Sequence, residues 1–320
     1  PGTEKDGDMS PKYACLLHYL LQSDQASVNL KAATCRQIIA KKDSNHPSIL
    51  CVGLVHVLRH GGLFLATYAT AALVNLSVHE FVKNYVMHDG VEVVILDQLE
   101  SKDDDLTLYT LMLLVHCTKS IGHRATLVQR GILDKLYKIL SANYAVLHYK
   151  RRVLTELCSV LGQLCNDEET RHTICENYQY VIDCLLQIFE TAELLPGDRK
   201  AGETLPSTST KIISKVLFAL KQLCAHSSEN KDLVGNRVIK FVVKDLQNPN
   251  NLEFKDWATN AILLLLLLAI SHTNCHLIND AGWQDTFVVL SSSPLGKLDA
   301  TRDRISQIDY RVDTLVQAGA

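Results

Sequence analysis

The chain is 320 residues long with a formal net charge of −3 and a pI near 6.5; without a basic field, nucleic acid is not expected as the main partner. Hydrophobic residues make up 47% of it and aromatics only 6%, with seven prolines and 15 glycines, a balance that fits a helical protein rich in Leu, Val, Ala and Ile. A chain this long normally divides into domains, unless it is a repeat array whose units pack only on their neighbours.

Residues 1–10 are polar and read as a flexible lead or a cloning remnant. Apolar spacing then predicts helices over 11–22 (Ala14, Leu16, Leu17, Leu20, Leu21) and 28–41 (Leu30, Ala33, Ile38, Ile39). Asn45-His46-Pro47 breaks the pattern before a third helix over 49–58, which Gly61-Gly62 stops, and a fourth over 63–77. From there a three-helix unit recurs. Helices are expected around 81–86, 94–99, 121–130, 132–140, 152–165, 168–176 and 180–190. Residues 194–209, LLPGDRKAGETLPSTS, hold two prolines and two glycines and read as a surface loop. Further helices are expected over 210–226, 229–234, 238–246, 253–271, 275–280 and 284–290. Ser291-Ser292-Ser293-Pro294 closes the array, 293–300 reads as a linker, and 301–320 as a separate amphipathic helix.

The end of each long third helix supplies an anchor: Asn75, His116, Gln163, Gln222 and Leu267, with a less certain first member at Gln37. The spacings are 41, 47, 59 and 45, and the longest contains the Pro/Gly loop. Intervals of about 40–47 match the helical-repeat period of armadillo and HEAT units. Fifteen places after the anchor stands Gly90, Gly131 or Gly282, where a left-handed residue would end one helix and start the next.

Over residues 11–292 the chain resembles the armadillo family. The resemblance is carried by ALVNLS at 72–77, by the short helix after it, and by a Gly followed by an apolar helix in DGVEVVILDQL, QRGILDKLYKIL and DAGWQDTFVVL. The span 209–283, with a helix ending QLC and then NPNNLEFKDWATNAI, is also loosely similar to the C-terminal repeats of ataxin-10-type proteins.

Two and five places before the anchor, and one after it, nearly every residue is apolar, which predicts one continuous core stripe. The positions seven before (Tyr68, Tyr109, Glu156, Lys215, Asn260) and four before (Ala71, Met112, Ser159, Phe218, Leu263) lie with the anchors on the opposite stripe and are expected to be solvent-accessible. The resemblance implies that this stripe lines a concave groove. Family members that bind extended peptides use an Asn at the anchor, whose amide clamps a peptide backbone in both senses; that role transfers to Asn75. Gln163 and Gln222 keep the amide, His116 adds pH dependence, and Leu267 departs. The nuclear-import members place Trp four before the anchor; its absence here counts against a receptor for basic signals. A polar residue at a helix end is, taken singly, more often a cap or a solvated position.

In the last unit Leu263, Leu264 and Leu267 put apolar groups on the stripe that is polar elsewhere. Ile305, Ile308, Val312 and Leu315 recur at helical spacing in the C-terminal helix and could cover them in cis, or could start a coiled coil.

The sequence carries no recognised catalytic or metal-binding pattern. Cys158, Cys165, Cys175, Cys184 and His172 form the densest cluster, but no CxxC exists, and Cys158 and Cys165 lie about 10 Å apart along one helix. The ten cysteines read as reduced thiols packed as small hydrophobes. Asp103-Asp104-Asp105 precedes a helix and reads as a cap; Lys150-Arg151-Arg152 reads as a solvated basic run. The apolar run 261–270 is about half the length of a membrane span, and no signal-peptide core is visible near the start.

The expectation is therefore an all-α, right-handed α-solenoid of about six armadillo-like repeats with an extra C-terminal helix. The function expected with it is a non-enzymatic, cofactor-free cytoplasmic scaffold or adaptor, with the nucleus also open as a location. It would hold a protein partner, as an extended peptide or amphipathic helix, along the groove. The candidate contacts are Tyr68, Asn75, Tyr109, Met112, His116, Glu156, Gln163, Lys215, Phe218 and Gln222. The alternative is a regulatory or assembly factor that grips a folded partner, such as a GTPase or cytoskeletal protein, through loops and the convex side.

Overall fold

A computed structural model describes residues 47–143, 147–194, 208–225 and 227–318. The expected lead at 1–10, the helices over 11–22 and 28–41, the anchor Gln37 and nearly all of the 194–209 loop lie outside them. Every regular element among the described residues is a helix. The chain divides into two compact units, before and after the 139/140 boundary.

The first unit begins with α1 (Pro47–His60), α2 (Leu63–Leu76), α3 (Glu80–Val86) and α4 (Val91–Gln98). It continues with α5 (Asp104–Cys117), α6 (Ile121–Gln129) and α7 (Ile132–Asn143), whose last residues pass the boundary. The third helix α2 packs along the third helix α5, and α1 backs α2. Gly90 before α4 and Gly131 before α7 adopt φ +74° and +80°. A side chain is strained there, so the short helix stops and the next leaves at an angle. Asp103 caps α5, its Oδ1 accepting from the Leu106 N–H at 2.7 Å, as expected of the Asp run.

In the second unit come α8 (Leu147–Leu164), α9 (Glu168–Asn177), α10 (Tyr180–Leu194), α11 (Thr208–Cys224) and α12 (Ser228–Leu246). Then follow α13 (Pro249–Leu252), α14 (Lys255–Leu268), α15 (His272–Asp280), α16 (Trp283–Ser292) and α17 (Asp299–Ala318). The third helices α8, α11 and α14 stack in that order, and α17 packs on α14, α15 and α16. One expectation is corrected here. The two helices anticipated over 229–234 and 238–246 are the single helix α12. Arg237 stands fifteen past the anchor, where three of the units carry a left-handed glycine, so nothing breaks the helix; its guanidinium instead holds Glu190 of α10 through two 2.7 Å hydrogen bonds. Gly235 sits inside α12 because a Cβ there would stand 2.0 Å from Asn274 Oδ1. The bare backbone makes room for that fully buried amide, which reaches the Lys231 carbonyl at 3.1 Å.

The core follows the repeat phase. Two before the anchor stand Leu73, Leu114, Leu161, Leu220 and Leu265; five before stand Thr70, Leu111, Cys158, Leu217 and Ile262; one after stand Leu76, Cys117, Leu164, Leu223 and Leu268. None is more than 2% exposed. Burial pushes the thiols of Cys117, Cys158 and Cys224 up to about 12, so they are packed as small apolar groups. No cysteine among the described residues is in a disulfide.

A recurring tie joins four of the five described third helices to the helix that follows; after α2 the same position is Lys83, which pairs with Glu80 instead. The last carbonyls of an α-helix have no partner within it. Eight places past the anchor a side chain reaches back to them. Arg124 donates to the Thr118 carbonyl at 3.4 Å, Arg171 to Cys165 at 2.8 Å, Asn230 to Leu223 at 3.1 Å, and the Cys275 thiol to Ala269 at 3.2 Å. The residue type changes from unit to unit; the position does not.

Candidate functional site

The third-helix stripe of the first unit is built from Tyr68 and Asn75 on α2 and from Tyr109, Met112 and His116 on α5, all half-exposed. Ala71, expected to be accessible with them, is buried at 4%. A single methyl cannot rise past the larger neighbours around it. Tyr68 and Tyr109 share a cleft of about 220 Å³ with Phe64, Thr67, Ala71, Asp103 and Asp105, and the Phe64 and Tyr68 rings meet edge to face at 4.9 Å. Asn75 makes no side-chain hydrogen bond among the described residues, so its amide can both donate and accept. His116 is not free in that way. The Ser77 proton goes to the Val74 carbonyl at 2.6 Å, which leaves the Ser77 oxygen to accept from His116 Nδ1–H. Burial first, then the Lys119 and Lys83 charges, lower the His116 pKa, so the imidazole is neutral at physiological pH.

The stripe of the second unit carries Glu156 and Gln163 on α8, then Lys215, Phe218 and Gln222 on α11, all half-exposed. Ser159 is buried at 4%, a further correction; its hydroxyl turns back to the Thr155 carbonyl at 3.0 Å. Glu156 and Lys215 line one cleft of about 560 Å³ with Lys211, Ser214, Lys255 and Trp257 among others. Burial raises the Glu156 pKa, opposed by the charges of Lys215 and Arg152. Phe218 seats its ring on Gly162 of α8, where an added Cβ would stand 2.3 Å from Cδ1. The Lys221 ammonium stands 4.8 Å from the centroid of that ring. Gln222 donates its amide to Asn166, and on α14 the Asn260 amide reaches the Ser214 carbonyl at 3.3 Å.

Leu263 and Leu267 on α14 are half-exposed, while Ile305, Ile308 and Val312 of α17 are buried and Leu315 half-buried. Polar contacts complete the docking of α17. Arg311 donates to the Leu266 carbonyl at 2.7 Å, Trp283 Nε1–H to Asp309 at 3.1 Å, and Gln284 to Asp313 at 3.2 Å.

The candidate residues thus fall into one stripe in each unit, with Tyr68 and Tyr109 meeting in the first and Glu156 and Lys215 in the second. Sequence reasoning passed over Lys221, whose ammonium stands over the Phe218 ring; no acidic residue lies three or four places from it, the spacing at which a surface cation on a helix finds its counter-charge. No group of three metal-ligating side chains exists among the described residues, and none of their helices is long and apolar enough to cross a membrane.

No protein-family model matches the chain, and no curated protein matches it in sequence. Solved structures do match. One, described as showing that a conserved phosphorylation switch controls the interaction between cadherin and beta-catenin, superposes with a TM-score of 0.79 at 12% identity. That match covers 95% of this chain and 60% of the other, so this chain spans less than two thirds of that chain's length. A designed armadillo repeat protein matches at TM-score 0.62 and 13% identity, over 81% of this chain and 98% of that one. Another designed armadillo protein, in complex with the peptide (KR)4, matches at 0.53 and 11%, over 93% and 98%. The stacked third helices, the left-handed glycines at their fixed offset and these superpositions agree: the chain has the all-α solenoid fold of armadillo-like helical repeats.

Proposed function

We propose that the protein is a non-enzymatic interaction scaffold that holds an extended segment or amphipathic helix of a protein partner along its third-helix stripes. The observation that carries this reading is Asn75. Its half-exposed amide has both hydrogen-bonding senses unspent, and it shares its stripe with Met112 and the Tyr68–Tyr109 cleft, which supply apolar and aromatic contacts of the kind that anchor partners. The peptide held by a designed protein of the same fold supports it.

Replacing Tyr68, Tyr109 or Phe218 in turn with a photo-crosslinking phenylalanine analogue tests the reading in cell extract. Capture of the same partner from all three positions, lost when Asn75→Ala and Gln163→Ala are combined, is the expected result. Capture that ignores this pair of substitutions overturns it. A second reading, the gripping of a folded partner, draws on Val78, Phe81 and Ile121, which are 62%, 50% and 72% exposed just after α2 and at the starts of α3 and α6. Phe81→Asp with Ile121→Asp would abolish capture under that reading and leave it intact under the first.

A further inference from the structure

In the first unit α2 and α5 pack side by side, and their N-terminal halves enclose the cleft of about 220 Å³. Three of its walls are rings. Phe64 and Tyr68 stand one turn apart on α2 and meet edge to face at 4.9 Å, and Tyr109 lines the same cleft from α5. Phe64 is 57% exposed, and neither tyrosine hydroxyl has a hydrogen-bond partner among the described residues. The charged part of the lining is Asp103 and Asp105. One Asp103 oxygen accepts from the Leu106 N–H at 2.7 Å and answers the partial positive charge at the start of α5. Asp105 is surplus: it is exposed and has no ion-pair or hydrogen-bond partner among the described residues. No lining residue is a cation. Ring faces are electron-rich, so three rings and a surplus carboxylate give the cleft one electrostatic sign. The second unit's cleft differs, because Lys211, Lys215 and Lys255 share its lining with Glu156, Glu253 and Asp256.

We propose that this cleft is a subsite for the cationic side chain of a lysine or arginine on a basic segment of a protein partner. This rests on the reading of the third-helix stripe as a partner surface, and it assigns that partner a charge. The cleft is smaller than the roughly 300–1,000 Å³ of a small-molecule site, which suits one side chain. The apolar stem packs on the Phe64 and Tyr68 rings, and the charged head donates to Asp105 and to the second oxygen of Asp103. An uncharged side chain of the same length keeps the stem contact and loses the attraction; an acidic one meets like charge. The residues involved are not the anchor set. Phe64 and Tyr68 stand eleven and seven before Asn75, both aspartates belong to the start of the next third helix, and the position four before Asn75 is the short, buried Ala71. Rings from one helix and acids from the next meet only in the folded unit.

Fluorescence anisotropy with the full chain at about 0.15 M salt tests this. The probes are a short labelled peptide of repeating Lys, Ala, Arg and Leu, its counterpart with uncharged acetyl-lysine and citrulline for the cations, and a third with Glu and Asp. The basic peptide should bind about tenfold tighter than the uncharged one, the scale of one cation–ring contact joined to one charge-assisted hydrogen bond. Asp103→Asn with Asp105→Asn should remove most of that advantage, since Asn keeps the cap of α5 and only the charge is lost. Tyr68→Leu with Tyr109→Leu should cut it about threefold. Glu229→Gln with Asp285→Asn, at two exposed acids outside the cleft, removes the same net charge and should leave it intact. Circular dichroism confirms that the variants fold. A basic peptide that binds no tighter than the uncharged one overturns the proposal. So does an advantage that survives the aspartate or the tyrosine pair, or that the Glu229/Asp285 pair removes equally. Should all three peptides bind alike and be lost on Asn75→Ala with Gln163→Ala, the stripe still binds segments and only the cation subsite fails. Should none bind, both readings fall.

Discussion

Ile308 is the place to ask whether α17 is part of the fold. It is 0% exposed, on a helix that meets α14, α15 and α16. Ile308→Ala removes about three methyl or methylene groups, worth roughly 0.8 kcal/mol each in lost transfer energy. Incomplete collapse of the site adds a cavity term, so the cost should reach about 2.5–4 kcal/mol. A repeat protein of this length does not unfold in one step, so a single melting temperature would blur the effect. Hydrogen exchange of individual segments does not. Amides over 305–312 should exchange at least roughly 70-fold faster, the kinetic equivalent of about 2.5 kcal/mol. Amides over 70–76 should be unchanged. Tyr310→Ala, at a side chain 72% exposed on the same helix, should leave both alone. A rise of less than about fivefold at 305–312, or an equal rise from Tyr310→Ala, would refute the packing derived for α17.

Four further outcomes follow from the geometry. Gly131→Ala should cost about 1 kcal/mol through backbone strain alone, since φ is +80° and no atom lies closer than 4.0 Å to the new Cβ. Gly122→Ala, helical and opening onto free space, should stabilise by up to about 1 kcal/mol; exchange rates over 121–140 report both. Gly235→Ala drives a methyl into the buried Asn274 amide and should cost about 1–3 kcal/mol, largely recovered when Asn274→Ala is added, as a double-mutant cycle would show. The Asp309 pKa is raised, by burial first and then by the neighbouring Asp313, with the Trp283 hydrogen bond opposing. A folded-state pKa above the unfolded one means that the charged form is the disfavoured one. Docking of α17 should therefore tighten as pH falls from neutral through that raised value. Asp309→Asn, which keeps an acceptor for Trp283, should hold the helix at least as firmly at pH 7 and flatten the pH dependence of exchange over 299–318.

Much of the fold was legible because the repeat phase is written twice, once in the apolar stripe and once in the glycines. Leu73, Leu114, Leu161, Leu220 and Leu265 share one offset, and all are buried. The backbone turns left-handed at Gly90, Gly131 and Gly282, where a side chain would be strained. What escaped depends on contacts between units that no local pattern encodes. Gly235 reads as a helix breaker until Asn274, thirty-nine residues away, fills the space above it. Ala71 and Ser159 share a phase with exposed residues but are too small to reach the surface. The candidate stripe was legible as a set of positions. Which of its polar groups stay unspent was not, because Ser77 and Asn166, the partners that occupy His116 and Gln222, sit outside the stripe's own spacing.

The tie eight places past four of the anchors bears on how such a chain tolerates substitution. The site asks only for a hydrogen-bond donor of suitable reach, and Arg124, Arg171, Asn230 and Cys275 all satisfy it. A position that accepts a guanidinium, an amide or a thiol leaves almost no trace in residue identity, yet it ties the end of one helix to the next. Built on joints of this kind, an array can exchange nearly all of its letters while its backbone stays in place. That is the condition in which this chain stands beside a protein it superposes on at a TM-score of 0.79 and shares 12% of its residues with.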